Sequence, residues 1–418
     1  MADTFDFKIN LIKASNFLGE QFYTGTVKLK HFLKTDFYKV PIYNSSLPFD
    51  DPESGYQRAA KETRINQVSE RLKNSDMEDS NAPFVDNVNL NLRNPDIAKY
   101  VRAKDPNKQS YGHVFEFQYI SQLGSFYIID GQTRIRGAQR AYQYAIDHGD
   151  FKLRDQIENT QVQISLSFIS DVYKEAYLFY LINNHSKAIP ADGAVRLLQE
   201  GKKSGSVVFQ NEITNQNKER ELLAYGIAEK LNNDSTVWAG RMKDFNDTGR
   251  SLAKTTMRSV AKVVEKVYAS VDDYYRGDDS KSDIDEKNLT NNVYNIIEAY
   301  WIGVKNAFRE MFKPDSEDQY AVLKAGPSEI MFLLLIEIIK AKKILKNSGV
   351  GDLDKPETYY NLVEKLKNLE DMTPDGAKIR GVNVFKIGSA GAIGKYSNTA
   401  AKKNMATKMK HTIWPNLA

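Results

Sequence analysis

Apolar and polar positions alternate along this chain with two different periods, and the dominant period changes near residue 205. Before that point, Thr26 to Lys30, Phe37 to Tyr43, Asn87 to Leu92 and Val162 to Phe168 alternate every second residue and read as strands. Phe115 to Ile120 and Phe126 to Ile129 read as the two arms of a hairpin turned at Leu123 and Gly124. Between these runs the period becomes helical. Ile65, Val68 and Leu72 recur within Glu62 to Lys73, and Ala138, Tyr142, Ala145 and Ile146 follow Ile135 on one face. A further helix is expected from about Val172 to Ile182, ending in a polar loop, Asn183-Asn184-His185-Ser186-Lys187. Strands and helices alternate, so the first half is α/β or α+β.

After residue 205 the strand signal fades. Residues 218–231, 249–270, 290–312, 327–346 and 356–369 read as helices with apolar stripes and charged faces. The acidic stretch Asp272 to Lys287 is expected to be a loop. Met331 to Ile339 is the most apolar run; it is too short to span a bilayer and contains Glu337, so it reads as a buried helix. The expected organisation is an α/β domain over 1–205, a helical domain over 206–375 and a basic tail over 376–418. No solenoid-like repeat is present.

Composition narrows the chemistry. With no cysteine, disulfides, thiolate catalysis and cysteine-ligated zinc are excluded, which fits a reducing cytoplasm. The first residues have neither the basic start nor the apolar core of a signal peptide, so a cytoplasmic protein with no membrane partner is expected. Net charge is only +4, but eight Lys and Arg and no Asp or Glu follow Gly376. Removing those eight from the 58 basic residues leaves 50 against 54 acidic ones. A mildly acidic body with a basic end suggests either contact with a polyanion or a solvated terminus.

The densest chemistry lies where the strand ending at Asp130 breaks into a helix through Gly131-Gln132-Thr133-Arg134. A new helix offers unpaired N–H groups and the positive end of its dipole, so this turn reads as a phosphate site. Gly131 lets the backbone approach an anion closely, and Arg134 and Arg136 add charge. Asp130 would orient Arg134, hold metal-bound water or activate a water; equally, it would cap its own helix. Arg140 reads as a solvated residue and His185 as a loop or packing residue.

Three polar segments at element ends, Gly55-Tyr56-Gln57-Arg58, Asp130 to Arg136 and Asn183 to Lys187, together resemble the DGQHR-domain family. That family includes the DndB and DpdB proteins of DNA modification and is itself similar to the ParB and sulfiredoxin fold. The resemblance covers roughly residues 35 to 205. Thr133 stands where the family motif has His, and Asn183 where the ParB pattern has Glu. The resemblance implies a ParB/sulfiredoxin-like N-terminal half joined to a mainly α-helical C-terminal half.

It also implies a nucleotide-binding protein that slowly hydrolyses ATP, or another NTP, with Mg²⁺ and serves a DNA-modifying enzyme. In that reading Asp130, Gln132 and Arg134 act in catalysis. Gln57, Arg58, Gly131, Thr133, Arg136, Asn184 and Lys187 bind the nucleotide, and Asn184 completes the metal shell. A DndB-like transcriptional regulator that binds DNA without turnover is the second reading. A ParB-like nuclease ranks last, because the sequence has no dense carboxylate cluster for two metals.

DNA is the expected partner in each case, with a homodimer among the expected assemblies. Helices near 218–231 and 249–270, separated by Trp238, Gly240 and Arg241, would arrange like a helix-turn-helix. Arg250, Lys254, Arg258 and Lys262 recur every four residues, as a stripe tracking phosphates would. Lys402 and Lys403, with Lys408 and Lys410 near Trp414, would add non-specific affinity. The same stripe is also what a solvated helix surface looks like.

Overall fold

The computed structural model describes residues 7–17, 19–33, 37–42, 47, 49, 51, 55–74, 87–94, 99–105, 113–186, 191–243, 255–276, 285–313, 319–344 and 350–415. Two compact units emerge, Met1–Gln210 and Asn211–Ala418.

The first unit is built in the order β1 (Phe7–Phe17), β2 (Glu20–Lys28), β3 (Tyr38–Lys39), α1 (Glu62–Asn74), β4 (Val88–Asn91), β5 (Val101–Ala103) and β6 (Val114–Tyr119). It continues with β7 (Phe126–Asp130), α2 (Gln132–Asp147), α3 (Phe151–Asn159), β8 (Gln161–Ser167), α4 (Val172–Ser186), α5 (Ala191–Lys203) and α6 (Val207–Asn215), within which the division between the units falls. The eight strands form one mixed sheet in the order β3-β7-β4-β8-β2-β1-β6-β5. β3 runs parallel to β7 and β4 parallel to β8, and the other neighbours are antiparallel. The fold is therefore α+β with a helical second half, as expected.

The expected hairpin does not form. β6 pairs with β1 and β5, whereas β7 pairs with β3 and β4. Four strands separate β6 from β7 in the sheet, yet Tyr119 stacks on Phe126 with ring centroids 4.9 Å apart. The sheet curls, as twisted sheets do, until inward aromatics from its two ends meet across the core. Phe37 joins them at 5.6 Å from Tyr119 and 5.0 Å from Phe126.

α2 closes the concave side through Ile135, Ala138, Ala141 and Ala145, which share one core with Ile9, Leu11, Phe117 and Ile164. Its small residues let the helix sit deep, and Gly137 lets α1 cross closely. A Cβ at Gly137 would lie only 2.5 Å from Val68 Cγ1. On the opposite face, α4 packs Leu178, Phe179 and Ile182 around Ile129 of β7. α4 extends through Ser186, so the polar segment expected to be a loop from Asn183 is its last helical turn; Lys187 lies outside the described residues.

The second unit contains α7 (Glu219–Asp234), β9 (Met242–Lys243), β10 (Thr255–Thr256), α8 (Met257–Arg276), α9 (Glu286–Ala307) and α10 (Ala325–Ile344). After these come α11 (Pro356–Val363), β11 (Glu370–Met372), β12 (Lys378–Arg380) and α12 (Thr399–Ile413). Trp238 is fully buried against Trp301 and Phe332, with centroids 5.0 and 6.2 Å away, so the segment after α7 is core rather than the exposed turn of a helix-turn-helix. The helix expected to carry the cationic stripe starts later than expected. Thr255 and Thr256 form a strand, and α8, which carries Arg258 and Lys262, begins only at Met257 rather than near 249; Arg250 and Lys254 lie outside the described residues. Of the expected loop from Asp272 to Lys287, Asp272 to Arg276 end α8, and Asp285 caps α9 by accepting from the Asn288 amide at 2.7 Å.

The basic C-terminal stretch is packed rather than a tail. Met405, Ala406, Met409 and Ile413 are buried along α12. Lys402 pairs with Glu329 at 2.6 Å and Lys410 with Glu337 at 3.1 Å, both on α10. Lys395 and Lys408 meet Asp371 at 2.7 and 3.2 Å, and Lys378 meets Glu370 at 2.9 Å. The asymmetry of charge along the sequence thus becomes charge pairing within the fold. Burial alone would raise the pKa of Asp371, but hydrogen bonds from Lys395, Tyr396, the Met372 amide and Lys408 outweigh it and bring the carboxyl down to about 2.

A carboxylate with a lowered folded pKa stabilises fully above its unfolded value of 3.8 and loses that contribution as pH falls toward about 2. The difference in urea midpoint between the wild type and Asp371→Asn should therefore shrink as pH falls across that window. A constant difference would contradict the pairing.

Candidate functional site

β7 delivers Asp130 to the edge of the core, and the chain reverses there because Gly131 adopts φ 106°. A Cβ at that position would be strained and would lie 3.0 Å from Val88 Cγ2 and 3.3 Å from an Arg134 terminal nitrogen. Gly131 is the N-cap of α2, and no side chain caps the helix. Asp130 therefore does not serve as the cap. Its half-exposed carboxylate instead lies 3.3 Å from the Arg134 guanidinium, which also donates to the Asn87 carbonyl at 2.7 Å. Arg134 opposes the positive end of the helix dipole, and Asp130 offsets that cost while orienting the guanidinium.

Gln132 Nε2, a donor, and Asn87 Oδ1, an acceptor, are buried at this turn with no hydrogen-bond partner among the described residues. Gln132 is the first residue of α2 and only 8% exposed. Asn87 belongs to the turn through its carbonyl bond to Arg134, while its amide nitrogen donates to the Ser165 hydroxyl.

The other expected site residues are distributed as follows. Gln57 is buried, and its amide donates to the carbonyl of Ile128, two residues before Asp130. It bridges to Ile42, so the segment Gly55 to Arg58 reaches the same end of β7 as the turn, with half-buried Arg58 leading toward α1. Gln57 thus acts on the backbone, and its side chain is committed there. Thr133 and Arg136 are half-buried on the first turns of α2, with Arg136 close enough to Tyr38 to act on its charge. Arg140 is exposed, as expected of a solvated helix face, and pairs there with exposed Glu62 on α1 at 2.8 Å. Asn183 donates to the Phe179 carbonyl one turn back. Asn184 lies in the last turn of α4, and its side chain lies outside the described residues, as does Lys187.

Among the described residues, no group of three or more His, Asp or Glu could hold a metal ion. In the second unit, Lys402 is engaged by Glu329, Arg258 is half-buried, and Lys403 is exposed.

A cluster not expected from the sequence lies behind the turn. Glu175, in the first part of α4, is completely buried. Arg93 holds it with two hydrogen bonds, of 2.8 and 2.9 Å, and Tyr56 donates to it at 2.5 Å. Asn91, also fully buried, donates to Glu175 and accepts from the Ile169 amide at 2.7 Å and the Ser167 hydroxyl at 2.9 Å. Arg93 also lies over the Tyr127 ring at 3.7 Å. Burial would lower the Arg93 pKa, but the Glu175 hydrogen bonds and charge raise it on balance; burial and Glu175 together push the Tyr56 phenol well up. Both groups therefore stay protonated donors.

The one sequence signal for this cluster is a carboxylate at the head of the apolar run Ala176 to Ile182. Asn91 gives none, because the Asn-x-Asn alternation places it with outward residues. No family model, curated protein or solved structure matches the chain.

Truncating one partner of a buried ion pair leaves the other charge stranded. Glu175→Ala and Arg93→Ala should each destabilise the first unit by about 3–5 kcal/mol. Combined, they should cost clearly less than their sum, as a double-mutant cycle in urea would measure. Additive losses would contradict a coupled pair.

Proposed function

We propose that the first unit binds the phosphates of a nucleotide at the Asp130–Arg134 turn. The observation that carries this reading is the start of α2. The helix opens on a left-handed glycine with no side-chain cap, with an oriented arginine and the buried Gln132 amide at the same end. First-turn amides and the helix dipole favour an anion there, and a guanidinium fits phosphate oxygens. Gly131 to Thr133 would supply backbone N–H groups, and Arg134 charge. Asp130 is the carboxylate of the turn, so Mg²⁺ would arrive with the nucleotide, held largely by phosphates and water.

The resemblance to the DGQHR-domain and ParB-like proteins extends the proposal to slow ATP turnover by a cytoplasmic accessory of a DNA-modifying enzyme, as a monomer or homodimer. Binding without turnover, as in a DNA-bound regulator, is the second reading. It is favoured by the ion pair that already engages the Asp130 carboxylate.

Calorimetric titration with ATP, GTP and pyrophosphate tests the binding. Arg134→Ala should weaken it by about ten-fold or more, equivalent to about 1.4 kcal/mol, with Arg134→Lys intermediate. The proposal fails if the folded wild type binds none of the three ligands, or if Arg134→Ala leaves the affinity unchanged.

A further inference from the structure

The outer face of the sheet suggests a second ligand. α4 covers that face around Ile129 and Phe22, at the β7 side and at one end of β2. Across β1, β5 and β6 most outward positions are solvent-facing, among them the cross-strand apolar pair Ile12 and Val114, whereas outward Asn91 and Ser167 of β4 and β8 are buried. The register builds cross-strand rows on this face: Arg102 opposite Glu116 opposite Asn10, and Thr26 opposite Gln163. Lys8 sits opposite Gln118, and Lys28 opposite Gln161. Lys104 follows β5 and is exposed, its amide bonded to the Val114 carbonyl at 3.1 Å.

Beyond the part covered by α4, the outward charges among the described residues are Lys8, Lys28, Arg102 and Lys104 against Glu116; outward Glu20 pairs with Lys174 of α4 at 2.9 Å, and Lys28 donates to Asn159 at 3.0 Å. Lys8 bonds to the Glu116 carboxylate at 2.9 Å and Arg102 lies opposite it in the register; together with Lys104 they draw its pKa down. The excess of positive charge over a row of amides and hydroxyls matches the phosphate backbone of a nucleic acid. Lys and Arg neutralise phosphates, and Asn, Gln and Thr hydrogen-bond to them. These rows contain no aromatic residue on which an unpaired base could stack, which favours a duplex over a single strand.

We propose that this open sheet face binds the backbone of duplex DNA without sequence preference. The surface is independent of the Asp130–Arg134 turn, so it stands whether or not a nucleotide binds there. It also differs in location from the helical stripe expected from the sequence.

Fluorescence anisotropy with a random-sequence labelled duplex, over a series of salt concentrations, tests the proposal on the full chain. Binding should weaken steeply with salt. Replacing Lys8, Arg102 and Lys104 together by Gln should lower affinity by at least about ten-fold and flatten the log–log salt slope by about 2 to 3. Glu116→Gln removes the opposing charge and should tighten binding, which loss of a merely structural contact would not do. Circular dichroism of each variant verifies folding. The proposal is overturned if the wild type fails to bind duplex at low salt, if the triple variant binds equally well, or if the protein binds phosphatidylserine vesicles but not DNA.

Discussion

The first unit depends on one buried carboxylate. Glu175 has no solvent to share its charge, so its position is tolerable only because Arg93, Tyr56 and Asn91 all donate to it. Those donors come from separate stretches of chain: the end of β4 and just beyond it, and the segment before α1. Satisfying one charge therefore fixes where α4 lies on the sheet, how β4 ends, and where residues 55 to 58 run. Asn91 extends the same constraint to the exit of β8 through Ser167 and Ile169. Hydrophobic burial would allow α4 to slide along the sheet; this directional set of bonds does not.

The candidate site is built on that lock. Tyr56 is tied to Glu175, and its neighbour Gln57 is tied to the Ile128 carbonyl, so the approach to the turn is held from both sides. From β7, the chain has one short way into α2, through a left-handed residue, and Gly131 supplies it. The helix then opens without a cap, and Arg134 is steered by Asp130 and the Asn87 carbonyl instead of extending into solvent. Pre-positioning of this kind reduces the ordering cost that an anion would otherwise impose on binding.

Much of this architecture was legible in local patterns. The periodicity of Ile65, Val68 and Leu72 marks α1, the alternation from Val162 marks β8, and the apolar run from Met331 marks the buried helix α10. The Asp130–Gly131 break is legible because strand, glycine and helix follow each other within a few residues. What depends on distant partners was not. β6 and β7 look like a hairpin because they are adjacent in sequence, yet their aromatics meet across a curled sheet. Glu175 looks like an ordinary helix-head carboxylate until Arg93 and Tyr56 are brought to it. The lysines after Gly376 look like a polyanion-binding tail because Glu329, Glu337 and Asp371, which neutralise four of them, lie elsewhere in the sequence. Charge asymmetry along a sequence carries no information about which charges will meet.

The central claim is that the uncapped start of α2 holds phosphate. The most direct measurement is a ¹⁵N–¹H NMR titration of the isotopically labelled protein with ATP and with pyrophosphate, following the backbone amides of Gly131, Gln132 and Thr133. The account predicts saturable shifts of these three resonances with both ligands, accompanied by the Gln132 side-chain amide. If those resonances stay fixed while ATP saturates elsewhere on the protein, or does not bind at all, the turn is a structural joint and the account is wrong.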